Sequence, residues 1–228
     1  MADTEMKGKV VKGLLWKILE NGGAQGIQFV ITIILARLLT PAEYGVVGII
    51  TIFITLANVI VQSGFSTALV QKREADRTDF SSVCWFSLLT AAVLYALLWV
   101  SAPYIEGFYE IAELKSIVRV LALVLFPGAV ISVQNSYVSR SMEFAGLFWS
   151  TLAASAASGA FSIWMAWKGF GVWAMVGQQL SYYGVLMLAL FVTVPWRPAA
   201  VFAMDRIRQM LGFGWKLLAA SMIDTLYN

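Results

Sequence analysis

The sequence predicts an all-α fold: a polytopic membrane helix bundle with six transmembrane helices, followed by the start of a seventh. Of the 228 residues, 60% are hydrophobic and 13% are charged, whereas soluble domains are about half apolar and about a quarter charged. The mean hydropathy is +0.77. Apolar segments near the length of about 20 residues that crosses a hydrocarbon core recur along the chain. Too few charges remain to cover a water-facing surface.

The predicted spans lie at residues 14–39, 46–70, 80–102, 117–138, 147–167 and 172–194. A basic N-terminus at 1–13 precedes this six-helix lobe, which covers 14–194, and a loop at 195–210 follows it. A further apolar segment at 211–228 ends with Asp224 and Asn228 and has no flanking loop. We expect it to be the truncated start of a second lobe.

The positions of Lys and Arg indicate orientation, because short cytoplasmic loops carry the excess of these residues. With the N-terminus inside, twelve of the sixteen Lys and Arg residues lie on the inner side of the bilayer. The outer four are Arg37, Lys115, Arg119 and Lys168. The sequence therefore predicts that the N-terminus and the loop at 195–210 are cytoplasmic and that odd-numbered spans run outward.

Two short motifs at the helices carry structural signals. In the stretch Thr40-Pro41-Ala42-Glu43, Thr40 can cap the second helix, Pro41 suits its first turn, and Glu43 completes a capping box. This interpretation removes the need for a functional role of Glu43. Pro127 and Gly128 fall within the fourth span and should kink or break that helix.

Polar residues within the spans are the more informative feature. On the first helix they share one face: Lys17, Asn21, Gln25, Gln28 and Thr32. We call these residues the first stripe. On the second helix the spacing i, i+4, i+7 and i+11 gives the second stripe: Thr51, Thr55, Asn58 and Gln62. Further polar residues at membrane depth are Gln134, Asn135, Gln178 and Gln179. Amides in lipid would lose their hydrogen bonds, so both stripes should face the protein interior or a water-filled cavity.

Two interpretations of the stripes stay open. The amides can join helices through hydrogen bonds, helped by the GxxxG spacing of Gly22 and Gly26. Alternatively, the stripes line a hydrophilic path for a polar substrate, with Lys17, Asn21, Gln25, Gln28, Thr55, Asn58 and Gln62 as the candidate residues. Lys17 and Glu20 are spaced to form an ion pair, which competes with a role of Lys17 in the path.

Several functions are disfavoured by composition. The chain has no histidine and one cysteine, Cys84, so an intrachain disulfide, a Cys/His zinc site and catalysis by a Ser/His or Cys/His pair are excluded. The net charge is +3, but no basic stripe with interleaved aromatic residues accompanies it, so no nucleic-acid partner is expected. We expect no catalytic residues, no metal and no organic cofactor.

Several stretches resemble the helix ends of bacterial polysaccharide exporters. They are ARLLTPAEYG at 36–45, SGFSTALVQK at 63–72, GFGVWA at 169–174, FGWK at 213–216 and DTLYN at 224–228. The similarity covers essentially the whole chain. It points to the oligosaccharide flippase family, of the lipopolysaccharide, colanic acid and teichuronic acid exporter type, within the MOP superfamily.

This resemblance implies a transporter rather than an enzyme. Members of the family are thought to carry undecaprenyl-pyrophosphate-linked oligosaccharides across the bacterial plasma membrane, by alternating access between two six-helix lobes. The expected partners are this substrate, membrane lipids and other polysaccharide-assembly proteins. The chain departs from the family pattern by ending in its seventh helix, and we expect it to be a fragment. The alternatives are a non-transporting membrane scaffold and a membrane enzyme of polysaccharide assembly, although the second lacks an evident base or metal site.

Overall fold

A computed structural model of the chain describes residues 2–72, 75–208, 210, 219, 220 and 223. Within these residues the secondary structure is helical. The helices are α1 (Ala2–Leu38), α2 (Pro41–Gln71), α3 (Arg77–Tyr109), α4 (Leu114–Leu121), α5 (Leu125–Ser141), α6 (Phe144–Trp167) and α7 (Val172–Thr193). A 3₁₀ turn at Ala122–Val124 joins α4 to α5, so that the two helices form one continuous span.

Six helical segments of the described chain are long and apolar enough to cross a bilayer. They are Gly13–Leu38, Pro41–Gln62, Arg77–Tyr109, Leu114–Ser141, Phe144–Trp167 and Val172–Thr193. Each one overlaps a predicted span, so the predicted fold class is confirmed. Large apolar side chains such as Phe29, Ile52 and Val100 are about two-thirds exposed on these helices, as expected for surfaces that meet lipid. The predicted seventh helix at 211–228, including Asp224, lies largely outside the described residues.

The helices pack in two groups that α7 connects. In one group α6 lies between α1 and α7, and in the other α5 lies between α2 and α3. Helix α7 also contacts α5 and α2, which holds the groups together. Helices α1 and α2 are adjacent in sequence but are not among the closely packed pairs. This arrangement leaves the facing sides of α1 and α2 open for a cavity.

Glycines at the α1–α6 and α6–α7 contacts allow these helices to approach each other closely. A Cβ atom at Gly159 would lie 2.2 Å from Ile31 Cδ1 of α1, and one at Gly177 of α7 would lie 2.6 Å from Met165 Sδ of α6. The interpretation in which the GxxxG spacing of Gly22 and Gly26 brings helices together is not supported, because a Cβ at either position would meet no atom of the described residues within 4 Å. The side of α1 that packs on α6 carries Gly23 instead, where a Cβ would lie 3.0 Å from Leu152 Cδ1.

The two predicted local motifs are present. The Thr40 backbone N–H donates to Glu43 Oε2 at 2.6 Å, and the Glu43 N–H donates to Thr40 Oγ1, which completes the predicted capping box. The 3₁₀ turn at Ala122–Val124 interrupts the regular α-helix of the fourth span and ends three residues before Pro127. A proline ring clashes with the carbonyl four residues earlier, here that of Leu123. The predicted disruption of this helix is therefore confirmed, and its position follows from that clash.

The loop after α7 is docked onto the first turns of α3. Ala199 N–H donates to Ser81 Oγ at 3.0 Å, and Ala203 N–H donates to Ser82 Oγ at 3.0 Å. The indole N–H of Trp85 donates to the Ala199 carbonyl at 2.9 Å. These three contacts hold the loop against the start of α3, on the end of the bundle where α2 ends.

A buried carboxylate strengthens this docking. Asp79 is 0% exposed, and its carboxylate lies 2.7 Å from Lys72 Nζ and 3.1 Å from Arg206 Nη1. Asp79 also accepts the Asp76 N–H at 3.1 Å, within a second capping box that starts α3. One carboxylate therefore joins the end of α2, the start of α3 and the loop that follows α7.

Candidate substrate path

One residue from each polar stripe lines a cavity between α1, α2, α6 and α7. Its volume is about 340 Å³. Helix α1 contributes Gln28, and α2 contributes Thr51. The remaining wall is formed by Val47, Ser158, Met175, Gln178, Gln179, Tyr182 and Tyr183. We call this space the central cavity. Its polar lining consists of amide and hydroxyl groups, and no lining residue carries a formal charge at neutral pH.

Of the first stripe, Gln28 lines the central cavity, whereas its other four members are not among the described lining residues. Gln28 Oε1 accepts a hydrogen bond of 3.3 Å from Gln178 Nε2 of α7. Asn21, Gln25 and Thr32 are exposed and lie on the same helical face as Gln28. The Thr32 hydroxyl donates to the Gln28 carbonyl at 2.8 Å. Gln28 therefore joins α1 to α7, whereas the side chains of Asn21 and Gln25 extend from the described surface of the lobe.

Lys17, at the start of the first stripe, is engaged in an ion pair. Its Nζ atom lies 2.6 Å from Glu20 Oε2, and the Glu20 side chain is only 9% exposed. Glu20 Oε1 also accepts a hydrogen bond of 3.5 Å from Thr151 Oγ1 of α6. The Lys17–Glu20 ion pair is therefore present, and it competes with a role of Lys17 in the substrate path. Within this pair, Glu20 contacts α6, whereas Lys17 remains partly exposed.

The second stripe lies along α2 and reaches α5. Gln62 Nε2 donates to Asn58 Oδ1 at 3.0 Å, and the Thr51 hydroxyl donates to the Val47 carbonyl at 2.7 Å. Thr55 is exposed. A Cβ at Gly128 would lie 3.0 Å from Asn58 Oδ1 and 3.4 Å from Gln62 Nε2. The absent side chain at Gly128 therefore makes room for the amide pair, a role that the sequence analysis missed.

Other polar residues at membrane depth were only partly found from the sequence. Gln178 and Gln179 line the central cavity as polar residues of the sixth span. Gln134 is 0% exposed, and neither of its amide atoms has a hydrogen-bond partner among the described residues. Ser66 continues the second stripe four residues after Gln62 and was missed. The spacing of i+4 from Gln62 could have identified it.

The described part of the chain contains no group of three or more His, Cys, Asp and Glu side chains arranged to hold a metal ion. Apart from Lys17, the stripes instead offer neutral groups that donate and accept hydrogen bonds. Such groups suit a ligand that carries many hydroxyls, because each hydroxyl is both a donor and an acceptor.

Comparison with known proteins gives consistent matches along the chain. A family model described as "Polysaccharide biosynthesis protein" matches residues 34–228. The succinoglycan biosynthesis transport protein ExoT of Rhizobium meliloti is 25% identical over 98% of this chain and 45% of its own length. The teichuronic acid biosynthesis protein TuaB of Bacillus subtilis is 28% identical over 96% of this chain and 46% of its own length.

A third relative is the lipopolysaccharide biosynthesis protein WzxC of Escherichia coli, 20% identical over 97% of this chain and 45% of its own length. This chain thus spans less than half the length of these curated relatives. No solved structure matches it significantly. The names of the relatives confirm the resemblance that the sequence motifs indicated. With six membrane-spanning helices and a family match over most of its length, the chain is a multi-pass membrane protein that belongs to the polysaccharide biosynthesis protein family.

Proposed function

We propose that this chain forms one lobe of a transporter that moves lipid-linked oligosaccharides across the bacterial plasma membrane by alternating access. The observation that carries the proposal is the central cavity, where Gln28 of the first stripe, Thr51 of the second stripe and Gln178 of α7 face one uncharged space at membrane depth. The names of the relatives, which include a succinoglycan transport protein, support a role in transport rather than catalysis.

The physical need for such a lobe follows from the cost of moving a sugar through lipid. Transfer of one hydroxyl from water to a medium without hydrogen-bond partners costs about 4–8 kcal/mol, and an oligosaccharide carries many hydroxyls. Amides and hydroxyls along α1 and α2 can replace the lost hydration. The polyprenyl tail can stay in the bilayer beside the protein, because it is as apolar as the lipid chains.

The proposed substrate is an undecaprenyl-pyrophosphate-linked polysaccharide repeat unit, and the proposed orientation has a cytoplasmic N-terminus. The orientation rests on the excess of Lys and Arg on one side of the bundle. Since the matched relatives are more than twice as long as their aligned parts, the proposed activity belongs to a protein in which a second lobe completes the path.

Cysteine accessibility in the membrane tests the proposal. In a Cys84→Ser background of the full-length protein, single cysteines replace Asn21, Gln25, Asn58 and Gln62, and a membrane-impermeant thiol reagent is applied. Phe29→Cys and Ile52→Cys are matched controls, because they lie on the same helices and expose apolar side chains. We expect the four stripe positions to react and both controls to stay unlabelled. Absence of labelling at all four positions in inserted protein would mean that the stripes only join helices.

A transport assay separates the proposed function from a scaffold or an enzyme. The full-length protein is reconstituted into vesicles with lipid-linked oligosaccharide in one leaflet, and the appearance of sugar in the other leaflet is measured. Transfer that depends on the protein supports a flippase. Intact substrate that stays in its leaflet would favour a scaffold, and chemically altered substrate would favour an enzyme.

A further inference from the structure

A second polar cavity lies between α2 and α5, toward the ends of these helices at Gln71 and Ser141. Its volume is about 400 Å³, within the range of about 300–1,000 Å³ that is common for small-molecule sites. Six of its seven lining side chains carry a hydroxyl or an amide, and none is charged. The lining residues are Gln62, Ser66, Val70, Ser132, Asn135, Ser136 and Ser139. We call this space the α2–α5 groove.

Direct contacts hold the two walls of the α2–α5 groove in place. The hydroxyls of Ser66 and Ser132 are hydrogen-bonded to each other, and the Ser136 hydroxyl donates to the Ser66 carbonyl at 3.2 Å. At the end of the groove, Arg140 Nη1 of α5 donates to the Leu69 carbonyl of α2 at 2.9 Å. This bond satisfies a carbonyl in the last turn of α2, where a cation is also favoured by the helix dipole. The groove is therefore preorganised.

One residue of the α2–α5 groove carries an acceptor that no described residue uses. Asn135 Oδ1 is buried and has no hydrogen-bond partner among the described residues. Buried polar atoms in native structures are almost always paired, so this acceptor, on a residue that lines the groove, favours a donor from outside the described residues. The hydroxyl of Ser139, one helical turn along the same wall, provides a second group within the groove.

The chemistry of the α2–α5 groove favours sugar hydroxyls over phosphate. Phosphate sites in proteins depend on Arg, Lys or clustered backbone N–H groups, and no cationic side chain is among the described residues that line the groove. Hydroxyls and amides match a sugar ring, whose hydroxyls donate and accept at once. The groove is also continuous with the second stripe, because Gln62 lines it and is hydrogen-bonded to Asn58.

We propose that the α2–α5 groove is a binding subsite for a sugar ring of the transported substrate, separate from the site of its pyrophosphate. This inference rests on the proposed function. In the proposed orientation, the groove lies at the cytoplasmic end of the second stripe, where the oligosaccharide would first leave water. Asn135 and Gln62 supply amide contacts, and Ser66 and Ser139 supply hydroxyl contacts.

Ligand protection of a single cysteine tests the subsite. The full-length protein, with Ser139→Cys as its only cysteine, is placed in lipid nanodiscs, and the labelling rate is measured with a thiol reagent. One probe is the lipid-linked oligosaccharide fraction of the bacterium that encodes the protein, and the other is undecaprenyl pyrophosphate without sugar. At about ten times its Kd, the sugar-bearing probe should slow labelling about tenfold, whereas undecaprenyl pyrophosphate should leave the rate unchanged.

Asp205→Cys serves as the labelling control, because it is exposed outside the groove and should react equally with and without either probe. Equal protection of Ser139→Cys by both probes would overturn the proposal, since occupancy would not require sugar. No protection in a preparation that transports would also overturn it and would leave the proposed function intact. Protection by the sugar-bearing probe in a protein that does not transport would support the subsite and contradict the proposed function.

Asn135→Leu provides a second test, with Ile52→Ala on the lipid-exposed side of α2, outside the groove, as the control. Asn135→Leu keeps the branched shape of the side chain but removes the acceptor, so the concentration of oligosaccharide lipid that gives half-maximal protection should rise about tenfold. Ile52→Ala leaves every lining residue of the groove in place and should not change this concentration. An unchanged value for Asn135→Leu would overturn the assignment of Asn135 to the sugar.

Discussion

At the residue scale, the most constrained group in this protein is the carboxylate of Asp79. It is fully buried and contacts Lys72 and Arg206, which come from two other segments of the chain. Both cations are partly exposed, so water screens part of the attraction. The carboxylate itself has no access to water and depends on these partners and on the Asp76 N–H.

Replacement of Asp79 by Asn should destabilise the protein by about 1–3 kcal/mol, because the variant keeps the shape but loses the charge that pairs with both cations. Thermal unfolding in detergent measures the effect as a lower Tm. Asp205→Asn removes an exposed carboxylate from the same loop and should leave the Tm unchanged. An equal Tm for the two variants would show that the ion pairs of Asp79 contribute little to the stability of the protein.

At the element scale, the contact between α1 and α6 depends on a missing side chain at Gly159. The space that a Cβ would occupy is taken by the Ile31 side chain. In lipid, helices associate through close packing rather than through the hydrophobic effect, so such contacts carry much of the association energy. The position of the first stripe relative to the central cavity depends on this contact.

Gly159→Ala should lower the free energy of unfolding by about 1–3 kcal/mol, because the added methyl forces Ile31 to move in a packed interface. The double variant Gly159→Ala with Ile31→Ala should recover part of the loss, as measured by chemical unfolding in detergent. Gly26→Ala is the matched control on α1 and should not destabilise the protein, since a Cβ there meets nothing within 4 Å. A destabilised Gly26 variant would indicate a contact outside the described residues.

At the scale of the whole molecule, the two interpretations of the stripes make different predictions for one hydrogen bond. Gln28 and Gln178 join α1 to α7 and also line the central cavity. If the amides only join helices, their loss should lower stability. If they line the path, their loss should lower transport at nearly constant stability.

We expect the double variant Gln28→Leu and Gln178→Leu to reduce polysaccharide export about tenfold or more, because a sugar hydroxyl would face an apolar wall. Export is measured by complementation of an exporter-deficient strain, and the Tm of the purified variant is measured in parallel. Phe29→Leu, on the lipid-facing side of α1, is the control. If the Tm falls strongly and the protein that remains folded still exports polysaccharide, the two amides act mainly in joining α1 to α7.

The predicted orientation also belongs to the whole molecule. A cysteine in place of Ala112, between α3 and α4, should react with an impermeant thiol reagent on intact cells. A cysteine in place of Asp205 should react only after the membrane is permeabilised. Both positions are exposed, so accessibility to water does not distinguish them. The reverse pattern would place the N-terminus outside.

Part of the fold and of the site could be predicted from short stretches of the sequence. The four residues from Thr40 to Glu43 are enough to predict the capping box. The disruption near Pro127 depends only on Pro127 and the helical turn before it. The stripes follow from helical periodicity alone. The groove beside Asn135 could not be found in this way, because its walls come from two helices about 70 residues apart in sequence, as the Ser66–Ser132 contact shows.

The sequence by itself determined that this protein spans a membrane with helices and that α1 and α2 each carry a polar face. The reason is that bilayer thickness and backbone hydrogen bonding act on each segment separately. Only the tertiary structure decided that α6 rather than α2 packs on α1, that Asp79 joins three segments, and that Gln28 and Thr51, one residue from each stripe, line the same cavity. These outcomes depend on complementary shapes and charges between residues distant in the chain, which periodicity does not encode.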